Sequence, residues 1–195
     1  MTQDSRLKTL DSLIRCSWAG SDPLYQKYHD EEWGKPVYDD KILFEFLILE
    51  GAQAGLSWIT ILRRRENYRK AFANFEIKEV AAFDGEDVEK LMNDAGIIRN
   101  KLKVNGAITN AKLFIEIQKE FGTFSNYLWH FMPGEEPLQN QIVSMSDVPA
   151  QTEISDAISK DMKKRGFKFF GTTICYAFMQ ATGMVNDHLV DCCAR

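Results

Sequence analysis

The 195-residue sequence has no apolar stretch long enough to cross a bilayer. The longest nearly apolar run, Ile42 to Leu49, is interrupted by Glu45 and falls far short of the roughly 20 residues a spanning helix needs, so no membrane partner is expected. The first residues, MTQDSRLKTLDSLIRCSW, lack the apolar core and cleavage site of a secretory leader, which makes a reducing cytoplasm the expected compartment. Cysteine is scarce, four in all, and in that compartment these are expected as thiols or metal ligands. Positive charge is not in excess. Lys+Arg 24 against Asp+Glu 28 gives 24 − 28 = −4, which excludes coating nucleic acid by bulk attraction but leaves a local basic face open. Internal repeats, low-complexity tracts and convincing runs of alternating strand residues are also missing.

What is present is a composition suited to helices. With 45% hydrophobic and 12% aromatic residues, the chain can bury a core that holds without disulfides, as one domain or as two small lobes sharing a core. Asp39 or Asp40 can cap a helix running to about Ala54, on which Leu43, Leu47, Glu50 and Ala54 share a face. Ser57 starts a second helix carrying Ile59, Leu62 and Tyr68. A helix with Val88, Leu91 and Met92 is expected to stop at Gly96 in a left-handed end, which a residue without Cβ adopts readily. A longer helix follows, with Leu102, Ile108, Ala111, Leu113, Ile115 and Ile117 as its apolar surface, and the pair suggests a helix-hairpin-helix near 86–118. Pro133 to Pro149 reads as a long loop with room for short helical turns, and a last pair of helices begins near Ser155 and Gly171. The expected architecture is all-α: one compact unit over 1–195, a central helical layer at 40–125, and a terminal lobe built from 13–39 with 150–195.

Three groups of residues carry candidate chemistry. Cys16 and His29 lie near one end of the chain, His188 and Cys192 near the other. The last two are one helical turn apart, and two thiolates with two imidazoles make a closed, four-coordinate zinc site of structural type. Their spacing is no compact zinc-finger signature, however, and on spacing alone separate buried or surface residues remain the simpler reading. Cys175, inside the apolar TTICYAFM, is expected in the core, and His130 as a packed or hydrogen-bonded residue rather than a ligand. Glu50 follows ILFEFLIL, where an unpaired charge costs several kcal/mol as an order of magnitude unless a partner or ligand offsets it. It is either a structural or a functional carboxylate, with Gln53, Ser57 and Trp58 nearby to recognise a planar heterocycle. The segment WAGSDPLYQKYHDEEWG adds Trp18, Tyr25, Tyr28 and Trp33, each of which also fits a core position. A base between Tyr28 and Trp58 would stack on both faces, and a cationic alkylated purine would gain an added attraction to the rings. Arg63 to Arg65, then Arg99, Lys101 and Lys103, then Lys163, Lys164, Arg165 and Lys168 form basic clusters that make a phosphate-binding surface only if they converge.

Together RCSW, DPLYQKYHDEEWG, LEGAQAGLSWITIL, DAGIIRN, KKRGFKFFGTTICYAFMQATGMVNDH and the terminal cysteine resemble the DNA-3-methyladenine glycosylase I family, the bacterial Tag type, over nearly all of the chain after its N-terminal extension. The resemblance implies a divergent helix-hairpin-helix DNA glycosylase fold with a zinc-clasped terminal lobe, one structural Zn2+ held by Cys16, His29, His188 and Cys192, and no organic cofactor. It assigns Glu50 as the catalytic pocket carboxylate, either bonding to the base or orienting water, and Tyr28 and Trp58 as base-stacking residues, to which the residue pattern itself adds Trp18 as a further wall. The usual hairpin has a glycine on each side of a hydrophobic residue, whereas here Gly96 is followed by Ile97, Ile98 and Arg99. Backbone N–H groups at Gly96 and Ile98, with the charges of Arg99 and Lys101, are the expected contacts to the DNA backbone. The implied activity is that of a monofunctional base-excision hydrolase acting, as a monomer without an obligate protein partner, on double-stranded DNA that contains an alkylated purine. Two competing readings are a noncatalytic DNA-damage binding module and a zinc-stabilised interaction protein.

Overall fold

Short polar caps and buried aromatic rings set the architecture of the computed structural model, which describes residues 13–195. Asp22 caps α1 (Pro23–Glu31) and Asp39 caps α2 (Asp40–Gln53), each carboxylate accepting from two backbone N–H groups of the first turn. Every residue from Leu43 to Ala52 is buried, so α2 is enclosed on all sides and runs through the middle of the molecule. Around it pack α3 (Trp58–Leu62), the long α7 (Lys101–Phe121), α8 (Phe124–Trp129) and α10 (Thr172–Ala181). Phe44 of α2 meets Phe114 of α7 edge to face at 5.3 Å, and Phe114 stacks on Phe124 at 3.9 Å. The Asp40 carboxylate accepts from the N–H groups of Phe124 and Ser125, which ties the start of α8 to the start of α2.

The remaining helices are α4 (Arg65–Ala71), α5 (Ile77–Ala81), α6 (Gly85–Asn93) and α9 (Glu153–Arg165). α5 and α6 lie on α7, and α9 pairs with α10. The loop from Pro133 contains two short 3-10 turns, as its composition allowed, and one element the sequence did not signal: β1 (Leu138–Gln139), paired in parallel with β2 (Val185–Asn186). The two ends of the described chain are drawn together. The N–H of Gly34 donates to Gln180 O and that of Val37 to Thr182 O, and Gly183, at φ +64°, sits so close to Lys35 that a Cβ would lie 2.1 Å from its carbonyl carbon. Among the described residues no helix is long and apolar enough to cross a membrane.

Three local expectations need correction. The helix expected from Ser57 through Tyr68 breaks after Leu62, where the Arg64 guanidinium donates to Thr60 O and Arg65 turns inward to Glu45 at 2.6 Å. α6 ends at Asn93 with an extended Asp94, and Gly96 is not left-handed; it is required because a Cβ there would lie 2.9 Å from both the Asn67 side chain and the Asp94 carboxylate. Leu102 is 72% exposed, and the inward face of α7 is carried instead by Val104, Ala107, Ile108, Ala111, Phe114 and Ile117.

Candidate active site and metal centre

α1 ends beside the chain's last residues, and this brings Cys16, His29, His188 and Cys192 together, all buried, with their ligand atoms within 4.8 Å of one another. The Cys192 Sγ is 3.4 Å from His29 Nε2 and 3.3 Å from His188 Nδ1, and Cys16 Sγ is 3.6 Å from His188 Nδ1. Tetrahedral bonds of about 2.3 Å to sulfur and about 2.0–2.1 Å to nitrogen put S and N roughly 3.5 Å apart, so the four atoms have the spacing of a zinc shell. The surrounding groups agree. His29 Nδ1–H donates to Asp30 at 2.7 Å, Asp30 is gripped by Arg15, and His188 Nε2–H donates to Trp33 O at 3.0 Å. Each imidazole is thereby left with its lone pair toward the thiols. The N–H groups of Leu189 and Ala194 point at Cys16 and Cys192 sulfur, as they do at thiolates. Burial pushes the Cys16 thiol up to about 12 and lowers both imidazoles, His188 to about 4, so the imidazoles are neutral and Cys16 needs a cation beside it to ionise. The cluster fits a divalent metal.

Next to it opens a cleft of about 220 Å³ lined by Trp18, Tyr25, Tyr28, Trp33, Glu50, Gln53 and Trp58, with Met145, Val148, Ala177 and Gln180 on the far wall. α2 buries two carboxylates, and their surroundings separate their roles. Glu45 is held by Arg65 and Arg69, whereas Glu50, 3% exposed, has no cation beside it and its Oε2 has no hydrogen-bond partner among the described residues. Burial alone raises the Glu50 carboxyl to about 8. The Nε1–H groups of Trp18 and Trp58 are likewise buried without acceptors among the described residues. Three unmet polar atoms around one aromatic cleft are what a site awaiting a polar, planar ligand leaves behind. The Tyr28 and Trp58 rings lie 5.4 Å apart and 47° from parallel. A base stacked on both needs about 7 Å between them, two contact distances, so the rings must part to admit it. Trp58 opens α3, three residues after Gly55, which sits at φ +81°.

The methyladenine glycosylase family model matches residues 18–195. The chain belongs to that family. It is 52% identical over 179 residues to DNA-3-methyladenine glycosylase 1 of Escherichia coli (strain K12), covering 92% of this chain and 95% of that one. It is 47% identical to DNA-3-methyladenine glycosylase of Haemophilus influenzae, covering 91% and 96%. A crystal structure of 3-methyladenine DNA glycosylase I matches with a TM-score of 0.90 at 48% identity, over 93% of this chain and all of the other. The Staphylococcus aureus enzyme, solved to explain its 3-methyladenine recognition, matches with 0.89 at 37% identity, over 92% and 95%.

In this methyladenine glycosylase, the turn between α6 and α7 carries the other expected contacts. Arg99 and Lys101 are exposed. Asn100 caps α7 by accepting from Leu102 N and Lys103 N; the Gly96 N–H is taken by Asp94 at 2.7 Å and the Ile98 N–H by the Tyr68 hydroxyl at 3.2 Å. Among the described residues no acceptor takes the N–H of Arg99 or Lys101. Lys103 is committed elsewhere, donating to Ala52 O and Ala54 O at the end of α2. Lys168 lines the same small cavity as Lys103 and Ile98, which brings one residue from each of two basic clusters together, while Arg165 is paired with Glu120 and Asp161. The residues unanticipated from sequence are Arg15 and Asp30, flanking metal-cluster residues in the chain, and Gln180, which no local signal marks.

Proposed function

We propose that this chain is a DNA-3-methyladenine glycosylase of base-excision repair, a hydrolase that cuts the N-glycosidic bond of 3-methyladenine in alkylated double-stranded DNA, releasing the base and leaving an abasic site. The family and the close relatives support the reaction; the single observation that carries the site is the unpaired, buried Glu50 in the aromatic cleft. In this reading the turn between α6 and α7 acts as a helix-hairpin-helix and grips the backbone with Arg99, Lys101 and the free N–H groups beside them. The lesion leaves the stack and its base enters between Tyr28 and Trp58, which part to receive it. The base is already a cation, and its charge lowers the Glu50 pKa, so that the proton passes to solvent water and a carboxylate pairs with the base edge. The N9–C1′ electron pair then leaves with the base, which becomes neutral. Water adds to C1′ and releases a proton, and the DNA phosphates stabilise the sugar cation between the two steps. One structural zinc at Cys16, His29, His188 and Cys192 would clasp the terminal segments and so steady Tyr28 beside His29, without an open position for catalytic water. We take the enzyme to act as a cytoplasmic monomer.

An enzyme accumulates abasic sites in excess of its own concentration when given methylated duplex, whereas a binding module retains the duplex intact. Alkali-labile sites counted against enzyme concentration therefore test the reading, and no turnover beyond one would sink it.

Two substitutions separate grip from recognition. Arg99→Ala weakens binding to damaged and undamaged duplex alike and lowers the slope of log affinity against log salt by about one phosphate contact. Titrations at several salt concentrations check this, and an unchanged slope removes Arg99 from the interface. Trp58→Ala leaves undamaged-DNA binding in place but weakens binding of free 3-methyladenine by about 1–3 kcal/mol of lost stacking, roughly 5- to 150-fold, measured by calorimetry. Equal affinity in the variant would contradict the stacking role.

A further inference from the structure

Asp187 is a fully buried carboxylate that base excision, as described, does not use. It accepts three hydrogen bonds from neutral donors: Asn140 Nδ2 at 2.7 Å, the Tyr176 hydroxyl at 2.8 Å and Gln180 Nε2 at 2.7 Å. The Gln180 atom that faces the carboxyl group is its amide nitrogen, which can only donate. The Gln180 amide is thus fixed in one orientation, and none of the donors among the described residues reaches its Oε1. Gln180 also lines the cleft that holds Glu50.

The cleft's other polar groups do not fix an acceptor. The Trp18 and Trp58 indoles only donate, tyrosine hydroxyls do both, and Gln53 has no hydrogen bond among the described residues to stop its amide from turning over. Glu50, raised by burial to about 8, can offer either a proton or a lone pair near neutral pH. By itself it tolerates either an amino or an oxo group on the base edge.

We propose that Gln180 is a specificity-determining residue, its Oε1 a fixed acceptor that favours a purine with an exocyclic amino group over one with an oxo group, and that Asp187 is the positioning residue that fixes it. An N–H of the amino group meets a lone pair, whereas an oxo group meets another oxygen and both lose their water. This deepens the glycosylase reading and rests on it.

The test uses two free bases that differ in that group and the ring N–H an oxo group brings with it, 3-methyladenine and 3-methylhypoxanthine, as inhibitors of excision from methylated duplex. Wild-type protein is inhibited more strongly by the amino base. In Gln180→Leu the ratio of the two inhibition constants falls on the order of tenfold, through weaker binding of the amino base, with undamaged-DNA affinity unchanged, while the thermal midpoint drops because buried Asp187 loses one of its three donors. Asp187→Ala removes the acceptor that holds the Gln180 amide, so the amide is free to turn round and the ratio falls toward the Gln180→Leu value. A folded Gln180→Leu with the wild-type ratio overturns the specificity role. A folded Asp187→Ala that keeps the ratio overturns the positioning role. Should wild-type protein release no base at all, the glycosylase reading fails instead, and the two failures are told apart.

Discussion

Glu50→Gln lowers the single-turnover rate of 3-methyladenine excision by about 10- to 100-fold and leaves binding to undamaged duplex at its wild-type level. The substitution keeps the shape of the side chain but removes the charge-assisted hydrogen bond to a cationic base, which is worth about 1.5–3 kcal/mol. Quenched-flow release on a duplex with one lesion measures it, and a wild-type rate in the folded variant would remove Glu50 from the chemistry. Stability gives an independent readout. The folded chain holds the Glu50 proton up to about pH 8, whereas the unfolded chain loses it at the ordinary value of 4.5. The folded state therefore binds more protons between those values, and its stability falls as pH rises through that window, levelling off above about 8. The slope from this one group is at most about 1.4 kcal/mol per pH unit. Glu50→Gln has no such proton to lose. Wild-type midpoints should fall relative to the variant's by up to roughly 3–5 °C per unit from pH 5 to 8, and parallel profiles would show that the carboxyl is not held protonated.

Removal of the metal is expected to have the largest effect on the fold. Protein purified under reducing conditions carries one zinc per chain; stripping it, or the change Cys192→Ser, lowers the thermal midpoint by roughly 10–20 °C, the scale of losing a structural metal in a chain of this size. The loosening is greatest where residues 13–39 meet 180–195, because the cluster and the Gly34 and Val37 hydrogen bonds share that junction. Excision declines less than stability does at temperatures where the variant stays folded, since Glu50 and Trp58 stand on α2 and α3. Metal analysis with calorimetry and refolding in zinc decides the matter. Active protein without stoichiometric metal would refute the clasp, and lost excision with an unaltered midpoint would recast it as a catalytic centre.

Much of the helical frame is legible from local chemistry. The Asp39 cap and the apolar run behind it define α2, and α9, which starts at Glu153, begins close to the expected Ser155. What is not legible depends on contacts between distant residues. The helix after Ser57 breaks because Arg65 must reach Glu45, twenty positions back, and periodicity carries no trace of that. Gly96 is marked as special by its type, but the cause is the approach of Asn67 rather than a helix end. Glu45 and Glu50 look alike in ILFEFLILE; only the placement of two arginines around the first leaves the second unpaired. Family resemblance, not spacing, joins the four metal-cluster residues, since His29 and Cys192 lie 163 positions apart and meet only when the chain ends close on each other. Gln180 is the extreme case, an ordinary polar residue at the end of an apolar helix whose orientation comes from a carboxylate seven residues later.

The most direct measurement is identification of the product. Purified protein is incubated with N-methylated duplex DNA, and the small-molecule fraction is resolved by chromatography and mass. A monofunctional 3-methyladenine glycosylase yields free 3-methyladenine, in molar excess over the protein, with the DNA strand left uncut until alkali is added. DNA held by the protein with no free base in solution, or a strand cleaved at the lesion without alkali, would contradict that function.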